Sequence, residues 1–174
     1  MITIISGTNR KNANSYKIAL QYQEILKEKG TEANVIDLEQ LPSDFIKSAL
    51  YENTGKNESF RPMMDLMKVS QKFVFIVPEY NGSFPGILKL FIDALEFPGT
   101  LKNKKCALVG LSSGVQGSAI AMSHLTDIFN YLGMHVLALK PKLMGIHNRM
   151  ENGEVADELG VQLLKEQAEA LINF

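Results

Sequence analysis

The sequence is poor in cysteine, in tryptophan and in excess charge of either sign. Its 174 residues include one cysteine and no tryptophan, and 18 Lys and Arg residues face 19 Asp and Glu residues, for a formal net charge of -1. One cysteine excludes an internal disulfide framework, so stability has to come from a hydrophobic core, and a chain of this length can build one. The lone thiol, Cys106, lies in an apolar run over residues 106–109, which predicts a buried strand residue and not a reactive thiol.

Long apolar runs and basic clusters are also missing. No segment approaches the roughly 20 apolar residues that a membrane span requires, and no basic stretch leads into an apolar run after Met1. A nearly neutral chain lacks the positive field that attracts nucleic-acid phosphates, and its densest basic patch, residues 102–105, is predicted to be a solvated loop. These absences argue against nucleic-acid and membrane partners and predict a cytoplasmic protein.

Two familiar nucleotide-binding loops do not occur. The chain has no G-x-G-x-x-G and no G-x(4)-G-K-[ST] segment, which argues against a dinucleotide pyrophosphate or a magnesium-bound triphosphate as the main ligand. Metal-ligand spacing is missing too, because His124, His135 and His147 lie far apart and no Cys or carboxylate cluster accompanies them. We predict that the histidines are surface or packing residues and that the protein has no metal site.

What is present is an alternation of short β-branched or aromatic runs with longer segments of helical periodicity, which is typical of βαβ units. Five strands are predicted at residues 2–6, 32–37, 72–77, 104–111 and 134–139. Five helices are predicted at residues 15–29, 62–70, 85–95, 117–132 and 155–172. The pattern predicts one domain over residues 1–174, a flavodoxin-like α/β/α sandwich whose five-stranded parallel sheet has the order 2-1-3-4-5. Residues 41–60 are the least periodic part, and we predict a long loop with local helix there, at the rim of a site.

Ligands of such sheets bind beyond the carboxyl ends of the strands. After the first predicted strand, residues 7–15 combine small hydroxyl and amide side chains, Arg10 and the start of a helix. Unpaired N–H groups at a helix start and a guanidinium suit a compact dianion, of which a phosphate monoester is the natural example. An ordinary helix-capping loop has similar residues, so this loop alone leaves both interpretations open.

Two further loops at the same edge suit a flat ring. After the third strand, Tyr80 and Phe84 offer aromatic faces, Asn81 offers hydrogen bonds, and Gly82 allows close backbone approach. After the fourth strand, residues 112–118 contain small side chains that can lie flush against a ligand. Either loop is weak evidence by itself, but three such loops at the ends of the first, third and fourth strands favour a common site.

The three segments together carry a family resemblance. They are Gly7-Thr8-Asn9-Arg10 with Asn14-Ser15, Pro78-Glu79-Tyr80-Asn81-Gly82-Ser83 with Pro85-Gly86 and Leu88-Lys89, and Ser113-Gly114 with Gly117. This combination resembles the NAD(P)H-dependent FMN reductases over essentially the whole chain. The resemblance implies that the FMN phosphate is held by Thr8, Arg10, Asn14 and Ser15. It implies that the ring is lined by Pro78, Glu79, Tyr80, Asn81, Gly82, Ser112, Ser113 and Gly114.

The resemblance also implies an activity, in which hydride passes from NADPH or NADH to bound FMN and on to a small acceptor. Quinones, azo compounds, nitro compounds, metal oxyanions and free flavin all remain open as acceptors. The flavin carries the redox chemistry, so we predict no catalytic side chain. Two positions depart from the family pattern: Ala13 stands where relatives often have serine, and Gly117-Ser118 stands where many have paired glycines.

Three alternative functions remain, and the resemblance also implies an oligomeric state. A non-enzymatic electron carrier of flavodoxin type is the first alternative, although such carriers are typically strongly acidic and this chain has a pI of about 6.3. A phosphate-recognition protein of related topology is the second alternative. A low-molecular-weight phosphatase is disfavoured because no cysteine lies in the first loop, and a response-regulator receiver is disfavoured because Val77-Pro78, and not an acceptor aspartate, ends the third strand. A flavin-free relative is the third. The resemblance implies a homodimer or a dimer of dimers, and the helix predicted at residues 85–95, apolar around most of its circumference, is predicted to join two protomers.

Overall fold

The computed structural model describes all 174 residues, as alternating strands and helices. The strands are β1 (Ile2–Ser6), β2 (Ala33–Asp37), β3 (Lys72–Pro78), β4 (Lys105–Leu111), β5 (His135–Val136), β6 (Lys142–Leu143), β7 (Met150–Glu151) and β8 (Glu154–Val155). The α-helices are α1 (Asn14–Glu28), α2 (Phe45–Ser48), α3 (Arg61–Val69), α4 (Gly86–Asp93), α5 (Ala119–Tyr131) and α6 (Glu158–Asn173). Short 3-10 turns lie at Leu38–Gln40, Tyr51–Asn53 and Ile146–Asn148.

The main sheet is parallel and has the order β2-β1-β3-β4-β5, with β6 also paired to β4. The predicted fold class and strand order are therefore confirmed, although the sheet has six strands and not the predicted five. β3 is buried from Phe73 to Pro78, as expected for a continuously apolar strand that helices cover on both faces. The ends of β1, β3 and β4 lie side by side at one edge of this sheet, and that edge carries the site.

The core forms a layer on each face of the sheet because successive strand residues point to opposite sides. Phe73, Phe75 and Val77 of β3 pack with α3, α4 and α5. Val74 and Ile76 pack with α1 and α6. The five predicted helices correspond to α1, α3, α4, α5 and α6 with ends shifted by a few residues, and no helix is both long enough and apolar enough to traverse a lipid bilayer.

The fifth predicted strand, at residues 134–139, is wrong in extent. Pairing along β4 is interrupted after β5 and resumes at β6. Between the two strands, Nε2 of the buried Gln167 in α6 donates to the carbonyl oxygens of Leu108 and Leu139, at 2.9 and 2.8 Å. A side chain from a distant helix therefore replaces part of the strand ladder, and the pattern of residues 134–139 contains no sign of it.

Residues 41–60 contain α2 and a 3-10 turn, which agrees with the local helix that the sequence predicts. Phe45 and Phe60 are buried in the core, and the ring of Phe60 packs edge-on against Phe45 and Phe91, with centroids 4.9 and 5.8 Å apart. None of residues 41–60 lines the cavity described below. The prediction that they rim the site is wrong, because their aromatic side chains anchor them against α4.

Cys106 lies fully buried in β4, as predicted. Burial in an apolar environment disfavours the thiolate, and it raises the pKa of the Cys106 thiol to about 12. A thiol that stays protonated and inaccessible at neutral pH is a packing group. The cysteine therefore takes no part in the site.

Candidate functional site

A cavity of about 670 Å³ lies beyond the carboxyl ends of β1, β3 and β4. Its lining consists of Thr8 and residues 10–15, 78–81, 111–113 and 146–147. The volume is within the range of about 300 to 1,000 Å³ that small-molecule sites occupy. All of the predicted site residues line this cavity except Gly82 and Gly114.

The loop after β1 holds a set of backbone donors without acceptors. The N–H groups of residues 11–15 donate to no group in the protein, and Ala13, which precedes α1, provides no side-chain cap. These donors lie at the positive end of the α1 dipole. Arg10 lines the same part of the cavity and forms no ion pair. This arrangement is that of an anion site and suits a phosphate.

Hydroxyl groups connect the first loop to its neighbours. Thr8 Oγ1 lies 2.9 Å from the phenolic oxygen of Tyr80 and accepts from the Arg10 N–H at 3.4 Å. Ser15 Oγ lies 3.1 Å from Ser6 Oγ at the end of β1. Thr8 and Ser15 are both buried. The contact between Thr8 and Tyr80 joins the loop after β1 to the loop after β3.

The loop after β3 is a two-residue turn closed by hydrogen bonds in both directions. Tyr80 N–H donates to the Ser83 carbonyl at 2.8 Å, and Ser83 N–H donates to the Tyr80 carbonyl at 3.0 Å. Both central residues are left-handed, Asn81 with φ of 51° and Gly82 with φ of 75°. Asn-Gly is the preferred sequence for such a turn because both residues tolerate positive φ. Gly82 therefore shapes the turn that places Asn81 at the cavity.

The side chain of Glu79 connects the loops after β3 and β4. Its Oε2 accepts a hydrogen bond from the Ser118 N–H, at 3.0 Å, just before α5 begins. A carboxylate at a helix N-terminus is favoured by the helix dipole. Sequence analysis places Glu79 in the site but misses this bridge, since nothing in the local pattern pairs residues 79 and 118.

Gly114 stands behind the cavity wall. Its carbonyl oxygen accepts from the Gly145 N–H and from Ser112 Oγ, both at 2.9 Å. Ser112 Oγ in turn accepts from the Gly117 N–H at 2.9 Å. These bonds fix the positions of Ser112 and Ser113, which do line the cavity.

Ile146 and His147 form a wall that sequence analysis missed. Ser112 N–H donates to the Leu143 carbonyl at 3.1 Å, and Ile146 N–H donates to the Ser112 carbonyl at 2.9 Å, so the pairing of β4 with β6 continues beyond both strands. The imidazole of His147 is exposed in the cavity, with Nε2 3.1 Å from Ser113 Oγ. His147 is a surface residue, as predicted, and it also lines the cavity. No local signal reveals it, because its position depends on the interrupted fifth strand.

The model of a protein family described as NADPH-dependent FMN reductase matches residues 1–141, from β1 to the end of β5 and just beyond it. The chain belongs to this family. The resemblance drawn from the three loops is thereby confirmed. In this FMN reductase family member, the loops after β1, β3 and β4 lie inside the matched region, whereas Ile146 and His147 lie outside it.

Relatives of this FMN reductase family member support the same class. An NAD(P)H-dependent FMN reductase of Pseudomonas aeruginosa is 32% identical over 119 residues, which cover 66% of this chain and 62% of that protein. A quinone reductase of Escherichia coli is 38% identical over 129 residues, covering 71% and 68%. The match therefore spans less than two thirds of the Pseudomonas relative's length.

A solved structure shows the same fold. The flavoenzyme NAD(P)H:(acceptor) oxidoreductase from Paracoccus denitrificans superposes with a TM-score of 0.80 at 23% identity, over 99% of this chain and 94% of that one. A likeness at this identity establishes the flavodoxin-like architecture.

Proposed function

We propose that this protein binds FMN in the cavity beyond β1, β3 and β4 and is an oxidoreductase that uses NADPH or NADH to reduce a small acceptor. The observation that carries the proposal is convergence: the anion-binding loop after β1 shares one cavity with the loops after β3 and β4. FMN requires an anion site and a ring site in one cavity. The names of the relatives supply the redox class, and the quinone reductase makes quinones the preferred acceptor class.

The hydrogen-bond donors and the positive charges that line the cavity fit FMN. At the anion end, the unpaired N–H groups of residues 11–15 and the guanidinium of Arg10 match a dianionic phosphate. Lys11 adds a second positive charge to the lining. The one acidic side chain in the lining, Glu79, is turned to the Ser118 N–H, so it does not consume the donors at residues 11–15.

The chain's part in the reaction is binding and orientation. FMN, when bound, supplies the hydride chemistry, and no side chain is assigned a catalytic role. Thr8, Arg10, Asn14 and Ser15 are proposed to hold the phosphate, and residues 78–81, 112 and 113 to hold the ring, while Gly82 and Gly114 shape the loops that carry them. The N–H group of Asn81, which lines the cavity, has no acceptor in the protein. Such a fixed donor stabilises a ligand that gains negative charge.

The test of the proposed function is a flavin titration of the purified full chain, followed by anaerobic reduction. We expect the fluorescence of FMN to be quenched when it binds, with one site per chain. NADPH should then bleach the bound yellow flavin, and a quinone should restore the colour. FMN at a hundredfold above its Kd should stabilise the fold by about 2.7 kcal/mol. A colourless protein whose unfolding temperature does not change when FMN is added would contradict the proposal. Bound FMN that NADPH and NADH fail to reduce would indicate the flavodoxin-type carrier instead.

We further propose that residues 1–174 form one FMN-binding domain in the cytoplasm. The two core layers share the strands of one sheet, and this supports a single unit. The cytoplasm is preferred because the only cysteine is buried in β4, whereas chains of oxidising compartments usually carry disulfides.

The assembly is proposed to be a homodimer, or a dimer of dimers, formed through the groove between the ends of α4 and α5. Leu88, Phe91 and Ile92 of α4 are buried within the chain, so the apolar circumference of this helix is explained without a second protomer. A cavity of about 650 Å³ opens between the ends of α4 and α5. Beside it Phe97 is 72% exposed and Tyr131 is 82% exposed. Exposed aromatic residues around an apolar groove are typical of protein interfaces.

The assembly can be tested by light scattering. We expect the unaltered chain to have at least twice the monomer mass of 19.3 kDa at micromolar concentration. The double variant Phe97→Asp with Tyr131→Asp should shift this mass to the monomer, since burying a carboxylate without a partner is costly. Leu159→Asp, at a 58% exposed position of α6, is the matched control and should not change the mass. An unaltered chain that is monomeric under these conditions would contradict the proposal.

A further inference from the structure

The pairing along β4 changes register between β5 and β6. Cys106 pairs with Val136, which lies 30 residues further along the chain, whereas Gly110 pairs with Lys142, which lies 32 residues further. Two extra residues are therefore accommodated between the two short strands, as in a β-bulge. A shift of two residues keeps every side chain on its own face of the sheet, because strand side chains alternate with a period of two.

The wall of Ile146 and His147 depends on this change of register. Beyond β6, the Ser112 N–H donates to the Leu143 carbonyl at 3.1 Å, and the Ile146 N–H donates to the Ser112 carbonyl at 2.9 Å. These bonds continue the register of β6 up to the cavity, which Ile146 and His147 line. A chain that kept the register of β5 would bring residues 144 and 145 to this place instead.

The change of register leaves the buried carbonyl of Leu108 without a backbone donor. Just after β5, the Leu137 N–H donates to the Cys106 carbonyl at 2.8 Å. In that register the Leu139 N–H would next donate to Leu108, but this bond is absent. In the register of β6, the residue facing the Leu108 carbonyl is Pro141, which has no N–H to donate. A buried carbonyl in this position requires a donor from elsewhere.

Gln167 of α6 supplies the missing donor. Its fully buried Nε2 donates to the Leu108 carbonyl at 2.9 Å and to the Leu139 carbonyl at 2.8 Å. Its Oε1 accepts from the hydroxyl of Tyr22 in α1, at 3.1 Å. Burial raises the pKa of the Tyr22 phenol, so the hydroxyl stays protonated and donates at neutral pH. The orientation of the amide is thus fixed, with both of its N–H groups directed at the interruption.

We propose that Gln167 is a positioning residue of the site, which fixes the two-residue shift between β5 and β6 and so places the wall of Ile146 and His147 at the cavity. Gln167 does not itself line the cavity, and it lies outside residues 1–141, which the family model matches. Its effect on FMN binding rests on the proposed function, whereas its effect on the position of the wall does not.

Gln167→Met tests the proposal, because methionine has a similar length and shape but lacks the amide. Amide hydrogen exchange, followed by NMR, should show the protection of Gly145 and Ile146 reduced about tenfold more than that of β1, as expected when a buried carbonyl loses its donor. The Kd for FMN should rise about tenfold, the scale of one lost hydrogen bond. Gln162→Met is the matched control, since Gln162 lies on the same helix but is exposed and outside the cavity. It should change neither value.

Two further variants separate positioning from general stability. Tyr22→Phe removes the donor to Gln167 Oε1 but leaves both N–H groups of the amide in place. It should lower the protection of β1 and of the wall alike and leave the Kd for FMN nearly unchanged. Pro141→Ala, added to Gln167→Met, supplies a backbone N–H in the register of β6. It should restore most of the protection and of the FMN affinity that Gln167→Met loses.

Equal losses of protection at the wall and in β1, unchanged FMN affinity in Gln167→Met, or no recovery with Pro141→Ala would overturn the proposal. If Gln167→Met does not fold, exchange in the unaltered chain decides: the side-chain amide protons of Gln167 should be protected, and rapid exchange would overturn the assignment. Failure of the unaltered chain to bind FMN would overturn the proposed function, and exchange at Gly145 and Ile146 would then decide this inference by itself.

Discussion

Replacing Arg10 with methionine is expected to raise the Kd for FMN by between tenfold and about a hundredfold. Arg10 lines the anion end of the cavity and has no carboxylate partner in the chain, so its charge is available to a phosphate. Hydrogen bonds to charged groups contribute about 1.5 to 3 kcal/mol each, which corresponds to this range of affinity. Fluorescence titration or calorimetry measures the change, and the affinity for riboflavin should be nearly unaffected.

The control for this substitution is Arg61→Met. Arg61 is an exposed arginine 3.8 Å from Glu58 and lies outside the cavity, so its loss removes the same charge from the chain without touching the site. FMN affinity should then stay within about twofold of the unaltered protein, since exposed pairs contribute little. Equal affinities in Arg10→Met and in the unaltered chain would show that the phosphate does not bind at the loop after β1.

Replacing Gly110 with alanine is expected to destabilise the fold by about 3 kcal/mol and to weaken FMN binding at the same time. A methyl group at Gly110 would lie 2.2 Å from the Gly117 carbonyl oxygen and 2.7 Å from Cε of Met122. The carbonyl belongs to backbone that cannot rotate away, so the loop after β4 must move, and overpacking a core costs about 1 to 3 kcal/mol. That loop carries Ser112 and Ser113. Urea unfolding of the flavin-free protein measures the loss of stability.

The matched control is Gly86→Ala at the start of α4. No atom lies within 4 Å of the position that a Cβ would take at Gly86, and its φ is not positive. The substitution should be neutral or stabilise the fold by up to about 1 kcal/mol, because alanine restricts the unfolded chain. Equal stability of the two variants would contradict the claim that close packing of β4 against the loop after it requires glycine at residue 110.

The layered architecture and most of the cavity could be predicted from local patterns. The apolar run from Phe73 to Val77 requires cover on both faces, and the alternation of strands with helices makes the sheet parallel. Parallel strands place their carboxyl ends at one edge, so the polar loops that follow β1, β3 and β4 had to meet there. The reach of the fifth strand could not be predicted in the same way. It depends on Gln167, which lies in α6, far from β4 in the chain. The side-chain amide of Gln167 donates hydrogen bonds to the carbonyl oxygens of Leu108 and Leu139.

By itself, therefore, the sequence determined which residue types follow each strand and that the strands form a doubly covered parallel sheet. These features depend on neighbours within a few residues, because backbone steric limits and hydrophobic periodicity act over short stretches of chain. Only the tertiary structure decided that Glu79 bridges to Ser118, that Tyr80 meets Thr8, and that His147 enters the cavity. Those contacts join residues far apart in the chain, and side-chain hydrogen bonds form only after packing has brought their partners within about 3 Å.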